Sequence, residues 1–256
     1  MSDLSYEIDS DGIAVITWDL EDRSMNVLNA RSMGEYRDIL NKLIPDENVK
    51  GVVLRSAKDA FIAGADLTSA DTFGFDQIQE DKVKAAEKIY NGNMEMQLLF
   101  RSMENSGKPF VAAINGHALG GGFEICLACH YRVAIDNDKI QIGQPEAKVG
   151  LIPGAGGNLR LLLNLMENSG SGRMNSFQVA QKAFETIGFA KVATSADEAK
   201  FLGYLLKSDT IILNNDQRIW TGKEKVLELI ENNYEPPSYR DDLKLPGAGG
   251  RTAMAM

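Results

Sequence analysis

Two glutamates in this 256-residue chain stand where a carboxylate is unusual. Glu124 follows Gly120-Gly121-Gly122 with Phe123 between and leads into Ile125-Cys126-Leu127-Ala128-Cys129, an apolar run that belongs in a core. Glu146 follows Pro145 and precedes Val149-Gly150-Leu151-Ile152-Pro153, so neither acid is part of a charged helix face. A buried acid needs a partner or a task. Two carboxyl groups on one face of a substrate can divide proton transfer, one taking a proton while the other delivers one. The glycine clusters beside them, Gly120 to Gly122 and Gly154-Ala155-Gly156-Gly157, let backbone N–H groups approach a ligand closely. Taken singly, each cluster reads equally well as a tight turn between strand and helix.

A third segment, Ala60-Phe61-Ile62-Ala63-Gly64-Ala65-Asp66-Leu67, precedes these two in the chain. The three motifs in this order resemble the crotonase (enoyl-CoA hydratase/isomerase) superfamily, clearly from about Tyr6 to Asn158. The resemblance implies an α/β protein with the ClpP/crotonase-like ββα spiral and C-terminal helices. It also implies an enoyl-CoA hydratase, adding water across the 2,3 double bond of a 2-trans-enoyl-CoA to give 3-hydroxyacyl-CoA in fatty-acid β-oxidation.

By the matching motifs, Glu146 would be the main proton donor to C2 and Glu124 the acid that holds the water. The amides of Ala65 and Gly121 would form the oxyanion hole for the thioester oxygen. Ala63, Gly64, Ala65, Asp66, Leu67, Thr68, Gly121 and Gly154 would contact the CoA ester, with Asp66 as an N-cap for a following helix. Arg23, Arg55 and Lys58 are candidates for the CoA phosphates. Isomerases of the superfamily often lack the acid at the Glu124 position, so keeping both favours hydration. An enoyl-CoA delta-isomerase and a non-catalytic acyl-CoA-binding module are the alternatives.

The formal charge of −9 argues against a nucleic-acid or anionic-membrane partner, since both call for a basic surface. The acidic N-terminus does not have the form of a signal peptide, and no run approaches the ~20 apolar residues of a membrane span. Cys126 and Cys129 make a single C-x-x-C with no second pair, which points to core thiols in a reducing cytoplasm rather than a metal site. No G-x-G-x-x-G occurs, and no permanently bound cofactor is expected; coenzyme A enters as part of the substrate.

The elements that must hold these residues follow from periodicity. Tyr6–Ile8 and Ile13–Trp18 around Asp9-Ser10-Asp11-Gly12 predict a β-hairpin, and Ala30 to Leu43 an amphipathic helix. Short apolar runs at Val49–Arg55, Phe110–Ile114 and Tyr131–Ala134 predict buried strands. Residues 75 to 105 read as helical with a break at Asn91-Gly92-Asn93, and Met166 to Met174 as a flexible loop. Helices are expected near Ser176–Thr186 and Ser195–Leu202.

The expected organisation is a core over 1–160 with the motifs, a helical region over 161–235, and a linker or truncated arm over 236–256, poorly packed at its end. The text of 182–200 with Leu245-Pro246-Gly247-Ala248-Gly249-Gly250 resembles the hydratase-like module of bacterial β-oxidation proteins that also carry a 3-hydroxyacyl-CoA dehydrogenase. The expected assembly is therefore a homotrimer or hexamer, or covalent union with such a dehydrogenase module.

Overall fold

The computed structural model describes residues 2–68, 81–173, 175–238 and 240–255, with the side chains of 171–173 left aside. The chain opens with strands β1 (Leu4–Ile8) and β2 (Ile13–Trp18), paired antiparallel from Leu4 opposite Trp18 to Ile8 opposite Ala14. Asp9 closes the hairpin, its carboxylate accepting from the amides of Asp11 and Ile13. Strands β3 (Gly51–Ser56), β4 (Phe110–Ile114), β6 (Tyr131–Ile135) and β9 (Thr210–Ile212) then add in parallel, giving a six-stranded sheet ordered β1-β2-β3-β4-β6-β9. Its inner strands are continuous apolar runs because both faces are covered.

Helix α7 (Arg218–Glu231) covers one face, packing Val226 with Val53, Val111 and Val133. On the other face, α1 (Ala30–Leu43), α2 (Lys82–Glu104) and α3 (Gly121–Ala128) bury Tyr36, Leu40, Phe100, Met103 and Phe123 in the main core. A second, three-stranded sheet is made of two-residue strands: β5 (Ala118–Leu119), β7 (Ile142–Gly143) and β8 (Val192–Ala193). Small as it is, it sets the site. The parallel pairing of Leu119 with Gly143 and the bond from the Gly120 amide to the Gly143 carbonyl place the turn before α3 beside the segment leading to Glu146.

Helices α4 (Gly157–Arg173), α5 (Ser176–Gly188) and α6 (Ala196–Leu202) complete the fold, with α8 (Gly247–Met254) at the end. The 160/161 division falls inside α4, and the residues beyond it supply β8 and β9 to the two sheets.

Two expectations are corrected. Helix α2 runs unbroken through Asn91-Gly92-Asn93. A helical glycine costs about 1 kcal/mol against alanine, too little to interrupt a helix whose far end buries Leu99, Phe100 and Met103. Likewise 166–173 is helix rather than loop, because tertiary contacts hold it: Asn168 bonds the Leu205 carbonyl and receives the Lys207 amide, and Ser169 is buried. Within the expected arm, α8 forms two turns, with Gly250 buried where an added Cβ would meet Pro246 and Phe177.

Candidate active site

Glu124 occupies the first turn of α3, whose residues from Gly122 to Ala128 are all buried. The turn before it needs Gly120, which adopts φ +50°, a left-handed conformation that favours glycine. Buried at 2 % exposure, the Glu124 carboxylate is not left bare. Its Oε1 accepts from the amides of Ala155 at 2.9 Å and Gly157 at 2.7 Å, at the positive end of the α4 dipole. Only glycine fits at 157, since an added Cβ would lie 1.7 Å from Gln144 Nε2 and 2.8 Å from Glu124 Oε1. Burial raises the Glu124 pKa, opposed by those two amides and by Arg160. Arg160 is itself fixed, its Nε 2.7 Å from Glu104 and its Nη1 donating to the Ala155 carbonyl.

Glu146 is carried on a 3-10 turn, Pro145–Val149. The proline starts the turn, and the Leu151 amide donates to the Glu146 carbonyl. Half-buried, Glu146 has a side chain with a different setting: Oε2 is enclosed without a hydrogen-bond partner among the described residues. Burial, with the charge of Glu124 as a further contribution, pushes its pKa up to about 7. The two acids flank one glycine pair. A Cβ at Gly120 would lie 3.2 Å from Glu146 Oε1, and one at Gly121 would lie 3.9 Å from Glu124 Oε2.

Both acids open on a cleft of about 500 Å³ lined also by Leu28, Met33, Ile89, Met96, Leu151 and Ile152. Of the expected site residues, Ala63, Gly64, Ala65, Leu67, Gly121 and Gly154 line it. Leu28 bridges to Ala65 by donating to the Gly64 carbonyl and accepting from the Asp66 amide. In such a parallel bridge the N–H of Ala65 points away from Leu28. Gly121 is the first residue of α3, where an N–H has no partner within the helix. Helix α2 holds the far rim: Gln97 donates to the Gly154 carbonyl at 2.6 Å, and Asn93 fills the space beside Gly154.

Asp66 and Thr68 take a bracing position instead of a lining one. Buried Asp66 pairs with Arg23 at 2.8 Å and accepts from the amide and hydroxyl of Thr68, and the helix it was expected to cap lies outside the described residues. Arg55 and Lys58 do not line the cleft either; they border a separate polar cavity. Cys126 and Cys129 are buried, and burial lifts both thiols, that of Cys129 to about 12. Sequence reasoning passed over Gln144 and Arg160. Gln144 is fully buried against Gly157 with both side-chain polar atoms unpartnered among the described residues, and nothing in an Ile-Gly-Gln-Pro string announces that.

Residues 9–170 match the model of the enoyl-CoA hydratase/isomerase family. The chain belongs to that family. Among curated relatives it is 44 % identical over 158 residues to the fatty acid oxidation complex subunit alpha of Idiomarina loihiensis, a match covering 61 % of this chain and 21 % of that one. To the corresponding subunit of Pseudomonas syringae pv. tomato it is 41 % identical over 177 residues, covering 67 % and 23 %. The chain thus spans about a fifth to a quarter of the length of these relatives. An enoyl-CoA hydratase from Bacillus anthracis superposes with a TM-score of 0.65 at 28 % identity, covering 91 % of this chain and 76 % of that one. One from Geobacillus kaustophilus gives 0.69 at 20 % identity, covering 90 % and 75 %, a likeness of fold alone. The crotonase fold of the family is therefore the fold of this chain, and its two glycine-framed carboxylates lie in the matched span.

Proposed function

We propose that this chain hydrates 2-trans-enoyl-CoA thioesters to 3-hydroxyacyl-CoA, with Glu124 and Glu146 as its acid–base pair. One observation carries the reading: two carboxyl groups, held differently, flank the Gly120-Gly121 turn at the end of one apolar cleft. Glu124, its Oε1 fixed by two amides, orients water and takes its proton as the oxygen bonds to C3. The electron pair of the C2=C3 bond moves toward C2, and charge gathers on the thioester oxygen, which the amides of Ala65 and Gly121 receive. Glu146, whose pKa of about 7 keeps it partly protonated near neutrality, delivers its proton to C2. Return of a proton from Glu124 to Glu146 resets the pair.

Ala63, Gly64, Leu67 and Gly154 receive the CoA ester along the cleft, and Met33, Ile89, Met96 and Ile152 provide its apolar wall. Coenzyme A arrives with the substrate, and the chemistry asks for no other cofactor. Among the described residues no helix is long and apolar enough to cross a membrane. We place the chain in the cytoplasm as the hydratase module of a longer β-oxidation protein that also carries a 3-hydroxyacyl-CoA dehydrogenase. The likeness to oxidation-complex α subunits supports this, and a free-standing homotrimer or hexamer is the alternative that light scattering separates.

The test is loss of the ultraviolet absorbance of crotonyl-CoA in the presence of the purified chain, beside isomerisation of a 3-enoyl-CoA. Hydration exceeding isomerisation is the expected result. Isomerisation alone would assign the cleft to proton shuttling by Glu146, and binding without turnover would make it an acyl-CoA-binding module.

A further inference from the structure

A second cavity, of about 290 Å³, shares no lining residue with the cleft. It is bordered by Arg55, Ser56, Lys58, Asp59, Asn115, Asn137, Lys139, Asn215 and Arg218. These residues come from, or directly follow, β3, β4, β6 and β9, four neighbouring parallel strands, together with the start of α7. The carboxyl ends of parallel strands are where open α/β sheets bind ligands.

Its charge is unbalanced in an otherwise acidic protein. Lys58 pairs with Asp19 and Lys139 with Asp59, but neither Arg55 nor Arg218 has a carboxylate partner among the described residues. Arg218 is 4 % exposed, and its Nε, like that of Arg55, is enclosed without a hydrogen bond among the described residues; its Nη1 donates to the side-chain Oδ1 of Asn215. Two such guanidinium groups facing one cavity oppose each other. Burial first, and Arg55 second, lower the pKa of Arg218 to about 10.

Buried cations are ordinarily paired. Asn115 adds a chemical restriction. Its amide NH₂ donates to the carbonyls of Lys58 and Asp59, which fixes the flip, and its Oδ1 is left buried with no donor among the described residues. A ligand completing this site must accept from two guanidinium groups and donate to one carbonyl oxygen. Bare sulfate has no proton for Asn115; the monohydrogen and dihydrogen forms of phosphate have one.

We propose that this cavity is a binding site for a protonated oxyanion of the phosphate class, held by Arg55 and Arg218 and donating its hydroxyl to Asn115. The site is distinct from the acyl-CoA cleft.

Isothermal titration of the purified chain with inorganic phosphate, at constant ionic strength set by chloride, reads the site directly. Saturable one-to-one binding is expected, weaker by at least about tenfold for the Arg55→Gln variant, which loses a charge-assisted bond, and for sulfate, which leaves Asn115 Oδ1 buried without a donor. Arg55 is only half-buried, so this variant is the one to rely on if Arg218→Gln fails to fold. Absence of phosphate binding above the chloride background, or full retention of it in Arg55→Gln, overturns the proposal. To separate free phosphate from the substrate's own, the phosphate complex is challenged with coenzyme A and with 3′-dephospho-coenzyme A. Unchanged phosphate binding supports a separate site. Displacement by coenzyme A alone would hand the arginines to the CoA 3′-phosphate and remove the separate site.

Discussion

Glu124 sits in the first turn of a buried helix with two backbone amides on one oxygen, whereas Glu146 rides on a five-residue 3-10 turn with one oxygen enclosed and unpartnered. Glu124 is the more deeply placed. Its partners oppose what burial does. Two amides and the neighbouring Arg160 favour the charged form of Glu124, while at Glu146 burial and the charge of Glu124 are opposed only by a hydrogen bond from its own backbone. Two residues of one type are thereby given two environments.

The strongest way to break this comparison is to remove the titrating group and keep its shape. Glu146→Gln is expected to lower turnover by ~10²-fold or more with little change in CoA-ester affinity, since proton delivery is lost and the wall is kept. Glu124→Gln should cost a similar factor. Near-normal hydration by either variant in a crotonyl-CoA assay would end the two-carboxylate mechanism.

Between the acids lies Gly121. A Cβ there would come within 2.9 Å of Leu28 Cδ1, so Gly121→Val displaces a cleft side chain and shifts the amide proposed to meet the thioester oxygen. The expected loss is on the order of 3 kcal/mol in transition-state binding, about that of one oxyanion donor. Unaltered kcat/KM would show that this amide serves only the turn.

The pH dependence sharpens the contrast. Activity that needs Glu146 protonated should fall as pH rises through about 7. Stability has the same sign. Because the folded-state pKa lies above the ordinary 4.5, the folded chain holds a proton that the unfolded chain has released between those values, so this group's contribution declines as pH rises from 4.5 through about 7. Glu146→Gln removes the effect, and above pH 7 it should unfold at higher denaturant than the parent, by on the order of 2 kcal/mol. An advantage of equal size at pH 4 and pH 8 would show that Glu146 is not the group responsible.

The same contrast explains what could be read beforehand. Both acids and the glycine turns were legible because their spacing is local and their types are out of place in apolar text. The hairpin, α1 and the buried strands were legible from periodicity. What failed was local composition set against distant packing. Glu167-Asn168-Ser169-Gly170 reads as loop, yet Asn168 is tied to Leu205 and Lys207, almost forty residues on. The Arg23–Asp66 ion pair joins residues 43 apart in the chain and has no local signature. The orphaned amide of Gln144 depends on Gly157 lying against it, which no window of sequence contains.

The smallest expected effect tests that lesson at one residue. Gly92 lies inside α2, within the Asn-Gly-Asn text that reads as a break. An added Cβ there meets nothing within 4 Å, so alanine costs no clash. If the helix is continuous, Gly92→Ala restricts the unfolded chain and supplies a better helix former, raising stability by about 0.5–1 kcal/mol. For a chain of this size that is an increase of about 2–4 °C in Tm per kcal/mol. Because Gly92 also borders the cleft beside Ile89 and Asn93, an added methyl group that narrows the cleft should change KM more for long substrates than for crotonyl-CoA. A lowered Tm would mean that the chain does bend at Asn91-Gly92-Asn93, and that local composition governs this helix after all.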